Sequence, residues 1–201
     1  MDETKCLEIG IYGYQPSSFC DYPHKSASVF FTSGCNMSCS YCHNINIMNS
    51  GRLLSPEEVY SCLRHAVTNR LSDAIVVSGG EPTLQGENLK HFLRFIRQTC
   101  SKSVKLDTNG TNYGLLKEIF EEKLVDFVAM DVKGRFDGYE KFCYSSNPDH
   151  LYKTVDLILK SGVKHEFRCT VGEEFDKKDF HFINSYFPDI KLQQYRSVKV
   201  N

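Results

Sequence analysis

From Ser28 onward the chain alternates short apolar runs with longer amphipathic ones, and that alternation restricts the possible folds more than any other feature. Ser28 to Thr32 (SVFFT) is β-branched and aromatic and reads as the first core strand. Ser55-Pro56-Glu57-Glu58 sets an N-cap, a proline and two acids in the order that opens a helix, which the pattern carries to about Arg70. Ala74 to Val77 (AIVV) is short and wholly apolar, as expected of a parallel strand covered on both faces. Glu87 to Cys100 places Leu89, Phe92, Leu93 and Ile96 on one helical face. Strand Val104-Lys105-Leu106, helix Tyr113 to Glu122, strand Val125 to Met130 and helix Asp149 to Lys160 follow. Strand Val163 to Val171, helix Asp176 to Phe187 and strand Ile190 to Tyr195 complete the series.

Six strands interleaved with about five helices predict an α/β fold on a parallel sheet. Six are too few to close an eight-stranded barrel, so the expectation is an open partial TIM-type barrel forming a single domain over residues 1–201. Chemistry in such folds belongs at the C-terminal ends of the strands. The unusual polar motifs of this chain follow Thr32, Val77, Leu106 and Met130, all strand ends, and should converge on one rim.

Charge excludes some partners. With 24 Lys+Arg against 25 Asp+Glu there is no electrostatic reason to expect nucleic acid or a membrane surface. No stretch approaches the roughly 20 apolar residues of a membrane span. Met1 to Gly10 carries Asp2, Glu3 and Glu8 without an apolar run, unlike a signal peptide. The expected location is the cytoplasm, where thiols stay reduced and nine cysteines are unusual. An odd number, three of them clustered, reads as a metal or cluster site rather than a disulfide framework.

Cys35, Cys39 and Cys42 are spaced C-x3-C-x2-C within one loop, residues 33–44, so their thiolates can close on a single centre. A structural zinc site wants four ligands, and the neighbouring His43 is poorly placed to join Cys42 on one tetrahedral ion. Soft thiolates otherwise select iron–sulfur clusters, and a four-iron cluster with three cysteines keeps one iron open for substrate. Ser78-Gly79-Gly80-Glu81-Pro82-Thr83 permits close backbone approach to a ligand, or is a tight turn. Leu106-Asp107-Thr108-Asn109-Gly110 is by itself an Asx or N-cap turn, and Met130-Asp131-Val132-Lys133-Gly134 by itself a surface ion pair.

Together these motifs carry a resemblance. The cysteine spacing, with Tyr41 just before the third cysteine, resembles the signature of the radical S-adenosylmethionine superfamily. That resemblance implies a 4Fe-4S cluster on Cys35, Cys39 and Cys42, and S-adenosylmethionine chelated at the open iron. It also implies reductive cleavage to methionine and a 5′-deoxyadenosyl radical. Gly79, Gly80, Glu81 and Pro82 would then hold the methionine amino group through backbone and acidic oxygens. The DTNG and D-x-K loops are similar to those of glycyl-radical-enzyme activating proteins, where they line the cofactor pocket. Asp107, Thr108 and Asn109 enter the pocket on this basis, with Asp131 and with Lys133 as partner of the methionine carboxylate. Asp107, Thr108 and Asp131 could also hold a monovalent cation, as in some members of that branch, and Arg168 matches a basic position near the cofactor or target peptide.

A narrower resemblance rests on Asp21-Tyr22-Pro23, SGCNMSCSYCHN, VVSGGEPTLQ, VKLDTNG, LVDFVAMDVKG and the closing LQQYR. These are similar to activating proteins of anaerobic ribonucleoside-triphosphate reductase from about Ile9 to Arg196, although His24 stands where that family commonly has Gly. The implied partners are the large subunit of that glycyl-radical enzyme and a flavodoxin-like electron donor. Alternatives are activation of a formate-lyase-type enzyme, radical chemistry on a small molecule such as a deazapurine precursor, and a non-catalytic iron–sulfur or zinc scaffold. Cys6, Cys20, Cys62, Cys100, Cys143 and Cys169 have no cluster spacing and read as structural. Among the seven histidines, only His24 and His43 are expected near the cluster.

Overall fold

A computed structural model describes residues 5–42, 44–45, 52–141, 148–172 and 175–195. Its centre is a seven-stranded sheet whose strands lie side by side in chain order. They are β1 (Ile11–Tyr22), β2 (Lys25–Thr32), β3 (Ala74–Gly79), β4 (Ser103–Thr108), β5 (Phe127–Asp131), β6 (Lys164–Val171) and β7 (Lys191–Gln194). β1 and β2 pair antiparallel, and every later neighbour is parallel. The helices α1 (Pro56–Thr68), α2 (Glu87–Thr99), α3 (Tyr113–Glu121), α4 (Pro148–Ser161) and α5 (Lys177–Tyr186) occupy the crossovers between successive parallel strands. Such crossovers share one hand, so their helices collect on one face.

Strand residues alternate between two environments, as the period of two requires. Ile75, Val77, Val104, Leu106, Val128, Met130 and Cys169 face out and form one core with residues of all five helices, such as Leu63, Phe92, Ile119, Leu151 and Ile183. Ala27, Val29, Ala74, Val76, Phe127 and Ala129 face in and pack with Tyr22 in a second cluster to which no helix contributes. The small inward alanines leave room for the sheet to curl. The expected partial barrel of six parallel strands is therefore present, with one strand added.

That added strand is β1. Pro16 lacks a backbone N–H, which suits an edge strand or a bulge, and Gly13 weakens the pattern further. Its register with β2 shifts at several places, and Phe19 is exposed. At the β1–β2 turn, His24 adopts φ 60° directly after Pro23. Pro followed by a residue of positive φ is the type II pattern that favours glycine. The turn lies at the N-terminal end of β2, and eight strand residues, about 26 Å at the usual rise, separate it from the cysteine loop. His24 thus sits at the barrel floor, not near the cluster: closeness in sequence was undone by the direction of β2.

The first helix starts as its sequence indicated. Glu58 N–H donates to Ser55 Oγ (3.3 Å) while Ser55 N–H donates to Glu58 Oε2 (2.8 Å), a reciprocal cap with Pro56 in the first turn. Cys6 and Cys169 are buried, Cys62 and Cys100 partly buried and Cys20 exposed, whereas His43 and Cys143 lie outside the described residues. No helix among the described residues is long and apolar enough to cross a membrane.

Candidate active site

The polar motifs do converge. Cys35, Cys39, Tyr41 and Cys42 after β2, Gly79 to Pro82 around the end of β3, Asp107 and Thr108 on β4 with Asn109 just after it, Asp131 on β5 with Lys133 just after it, and Arg168 on β6 all line one cavity of about 320 Å³. Every site residue expected from the sequence is in its lining. Sequence reasoning missed Asp21, Met37, Asn44, Thr170 and Gln193 there. Period-two alternation from Arg168 would have found Thr170, and the others stand in the Asp21-Tyr22-Pro23, SGCNMSCSYCHN and LQQYR segments without having been singled out as lining residues.

The cysteine loop is held from behind by backbone. Gly80 N–H donates to the Thr32 carbonyl (3.0 Å) and Glu81 N–H to the Gly34 carbonyl (2.8 Å). A Cβ on Gly80 would stand 1.9 Å from that Gly34 oxygen, and one on Gly79 (φ 129°) 2.4 Å from Thr32 N and O. The paired glycines therefore permit this close contact with the end of β2 and the cysteine loop, and both also line the cavity. Asn44 adds a bond from its side-chain amide to the Gly79 carbonyl (3.0 Å).

Glu81 is buried and joins three loops. Its Oε1 accepts from Thr83 N–H (3.1 Å) and Thr108 Oγ1 (2.8 Å), besides Thr83 Oγ1, and its Oε2 accepts from Asn109 N–H (2.6 Å). Burial raises its pKa above the ordinary carboxylate value, and those hydrogen bonds oppose the rise. With two lone pairs on each oxygen, Oε1 is fully engaged by its three donors, and Oε2, with one, keeps an acceptor position open. Asn36, between the first two cysteines, accepts from Asn109 Nδ2 (2.8 Å) and donates to Thr111 Oγ1 (2.9 Å), tying the cysteine loop to the loop that follows β4.

Opposite the cysteines the inner strand faces carry charge. Asp131 Oδ1 accepts from Arg168 Nε (2.8 Å), and its Oδ2 lies 3.4 Å from Lys133 Nζ. Asp107 Oδ2 accepts from Ser78 Oγ (3.0 Å) and lies 3.6 Å from Arg168 Nη2. Burial alone would raise the pKa of Asp131, but Lys133 and Arg168 outweigh it and hold the carboxyl below its usual value. Burial likewise works against the Lys133 ammonium, yet Asp131 and Cys39 keep its pKa raised. Lys133 Nζ also stands 5.8 Å from the centre of the buried Tyr41 ring. The oxygens that the sequence offered to a monovalent cation are thus engaged: Asp107 and Asp131 by Arg168, and Thr108 Oγ1 by Glu81 and by the Gly110 N–H (3.1 Å).

The thiols are half-buried, and burial raises the pKa of Cys35 and pushes Cys39 up to about 11. Lys133 is the nearby charge that favours the Cys39 thiolate. Among the described residues no three Cys, His, Asp or Glu side chains stand close enough to grip a single metal ion. Three soft thiolate donors on the lining of one cavity suit an iron–sulfur cluster by their chemistry.

Comparison with known proteins agrees. Residues 29–184 match the Radical SAM superfamily. Over 189 residues the chain is 37% identical to a protein of Methanocaldococcus jannaschii provisionally named a glycyl-radical enzyme activating enzyme, covering 90% of this chain and 77% of that one. It is 33% identical over 165 residues to the pyruvate formate-lyase-activating enzyme of Clostridium pasteurianum, covering 77% and 67%. The structure of anSMEcpe with bound AdoMet shares the fold (TM-score 0.61, 19% identity, 84% of this chain), and this chain spans about half, 52%, of its length. With its cysteine loop, its barrel and these matches in agreement, the chain belongs to the radical SAM superfamily, enzymes that bind a 4Fe-4S cluster and S-adenosylmethionine.

Proposed function

We propose that this enzyme generates a glycyl radical on a partner enzyme, and that the partner is the large subunit of an anaerobic ribonucleoside-triphosphate reductase. The observation that carries the proposal is the joining of the DTNG and D-x-K loops to the three-cysteine loop around one cavity. The names of the M. jannaschii and C. pasteurianum relatives support the activating branch, and the Asp21-Tyr22-Pro23 and VKLDTNG segments support the reductase as partner.

Cys35, Cys39 and Cys42 would hold the cluster as thiolates, having lost their protons on binding it. When bound, the cluster and S-adenosylmethionine supply a one-electron reductive cleavage and a hydrogen-abstracting radical. The open position on Glu81 Oε2 and the Gly79–Gly80 backbone suit the methionine ammonium. Lys133, kept charged by Asp131, suits the carboxylate. Gln193 of β7 is exposed yet lines the cavity, so the pocket opens beside the last strand, where a partner's glycine-bearing loop can enter. Reduction by a flavodoxin-like donor in the cytoplasm completes the reading.

The test is anaerobic incubation of the reconstituted enzyme, S-adenosylmethionine and a reductant with purified reductase, followed by electron paramagnetic resonance. A glycyl-radical doublet on the reductase supports the assignment. A doublet on a formate-lyase-type enzyme alone, or on neither, rejects this partner.

A further inference from the structure

Lys105 precedes the DTNG residues and does not line the cavity, yet it is 1% exposed. Its place follows from period two along β4: Val104 and Leu106 face the helices, so Lys105 and Asp107 must face into the barrel. Lys105 Nζ donates to the Asp21 carbonyl (2.6 Å), lies 2.9 Å from Asp107 Oδ1 and stands 5.9 Å from the centre of the Phe127 ring. From there charge alternates upward through Asp107, Arg168 and Asp131 to Lys133. Each aspartate gives one oxygen to the cation below it and the other to the cation above.

A buried ammonium is tolerated only when it is paired, and so is a buried carboxylate. Without Lys105, Asp107 Oδ1 would lose its charge partner, since the same atom has no hydrogen-bond donor. Asp107 would then pull Arg168 inward, away from Asp131. That change resets Asp131 and the Lys133 ammonium that it orients.

We propose that Lys105 is a positioning residue for the cofactor pocket, fixing Asp107 from beneath and, through Arg168 and Asp131, the placement of Lys133. The proposal rests on the reading that this pocket takes S-adenosylmethionine. It extends the functional machinery down to the barrel floor, where the Asp21 carbonyl of β1 meets the same ammonium.

The experiment is equilibrium binding of radiolabelled S-adenosylmethionine to reconstituted, oxidised protein, without turnover, with iron content and melting temperature measured alongside. Lys105→Met, which keeps volume and removes charge, should retain iron but bind about tenfold more weakly or worse, a modest share of the cost of breaking a buried pair. Lys105→Arg should stay within about threefold of wild type, because it restores the charge. The double variant Lys105→Met/Asp107→Asn should bind no more weakly than Asp107→Asn alone, because Lys105 acts through Asp107. Unchanged binding in Lys105→Met, or additive losses in the double variant, overturns the proposal. If Lys105→Met does not fold, the double variant, which leaves no unpaired charge, decides by the same comparison. Wild-type protein that binds no S-adenosylmethionine overturns the reading of the pocket, and this proposal with it.

Discussion

Replacing Gly80 by alanine should separate the two loops that build the site. The new methyl carbon would lie 1.9 Å from the Gly34 oxygen and 3.3 Å from Cys35 Cβ. Ordinary contact needs about 3.4–4 Å, so the loops must part by roughly 1.5 Å or more. That displacement breaks the Glu81 N–H to Gly34 bond (2.8 Å) and strains the Gly80 N–H to Thr32 bond (3.0 Å). Buried backbone groups left unpaired cost about 1–3 kcal/mol each, so Gly80→Ala should lose about 2–4 kcal/mol. For a chain of this size that corresponds to a fall in melting temperature of roughly 5–15 °C. The assay is thermal unfolding of the apoprotein with iron uptake in parallel, and uptake should fall as well, because Cys35 moves with Gly34. Gly114→Ala is the control: nothing lies within 4 Å of its Cβ, and it sits inside α3. Helix propensity there should add about 0.5–1 kcal/mol. Equal stability and full iron uptake in Gly80→Ala would refute the claim that this loop contact requires a glycine.

Further predictions concern the turn, the thiols and the charged wall. His24→Gly should stabilise the protein by about 0.5–1 kcal/mol in chemical denaturation, because φ 60° strains any residue with a Cβ, and should leave S-adenosylmethionine binding unchanged. Cys39, with a pKa near 11, must lose its proton to bind iron, so anaerobic iron–sulfide uptake should quicken from pH 7 to pH 9 in a stopped-flow absorbance assay. Asp131 has a folded-state pKa below its unfolded value, so it stabilises the fold above the ordinary aspartate range and loses that contribution as pH falls through the depressed value. Unfolding of the apoprotein across pH 2 to 6 should therefore show a shallower acid limb for Asp131→Asn than for wild type.

The parallel part of the fold was legible because buried strands and amphipathic helices leave opposite periodicities, and the capping signal at Ser55 fixed where α1 begins. The rim residues were legible for a related reason: polar residues such as Glu81, Asp107 and Asp131 at or just after the ends of apolar strands break the buried pattern there. β1 escaped because an edge strand with Pro16 and bulges carries neither periodicity cleanly. Lys105 escaped because a polar residue between Val104 and Leu106 looks like the solvent side of a strand; only curling of the sheet makes that side an interior. His24 was misplaced because sequence distance takes no account of strand direction. The carboxylate of Glu81 was expected to meet a ligand, and most of it meets Thr83, Thr108 and Asn109, contacts between segments that only folding brings together.

Cys35, Cys39 and Cys42 share one cavity with the GGEP, DTNG and D-x-K loops, and the cluster proposed there should cleave S-adenosylmethionine. That expectation is tested most directly by reconstituting the protein anaerobically with iron and sulfide, adding dithionite and S-adenosylmethionine, and measuring 5′-deoxyadenosine. Product is expected from wild type and none from Cys35→Ala, Cys39→Ala or Cys42→Ala. A folded, iron-loaded wild type that forms no 5′-deoxyadenosine, or one that takes up zinc in place of iron, would contradict it.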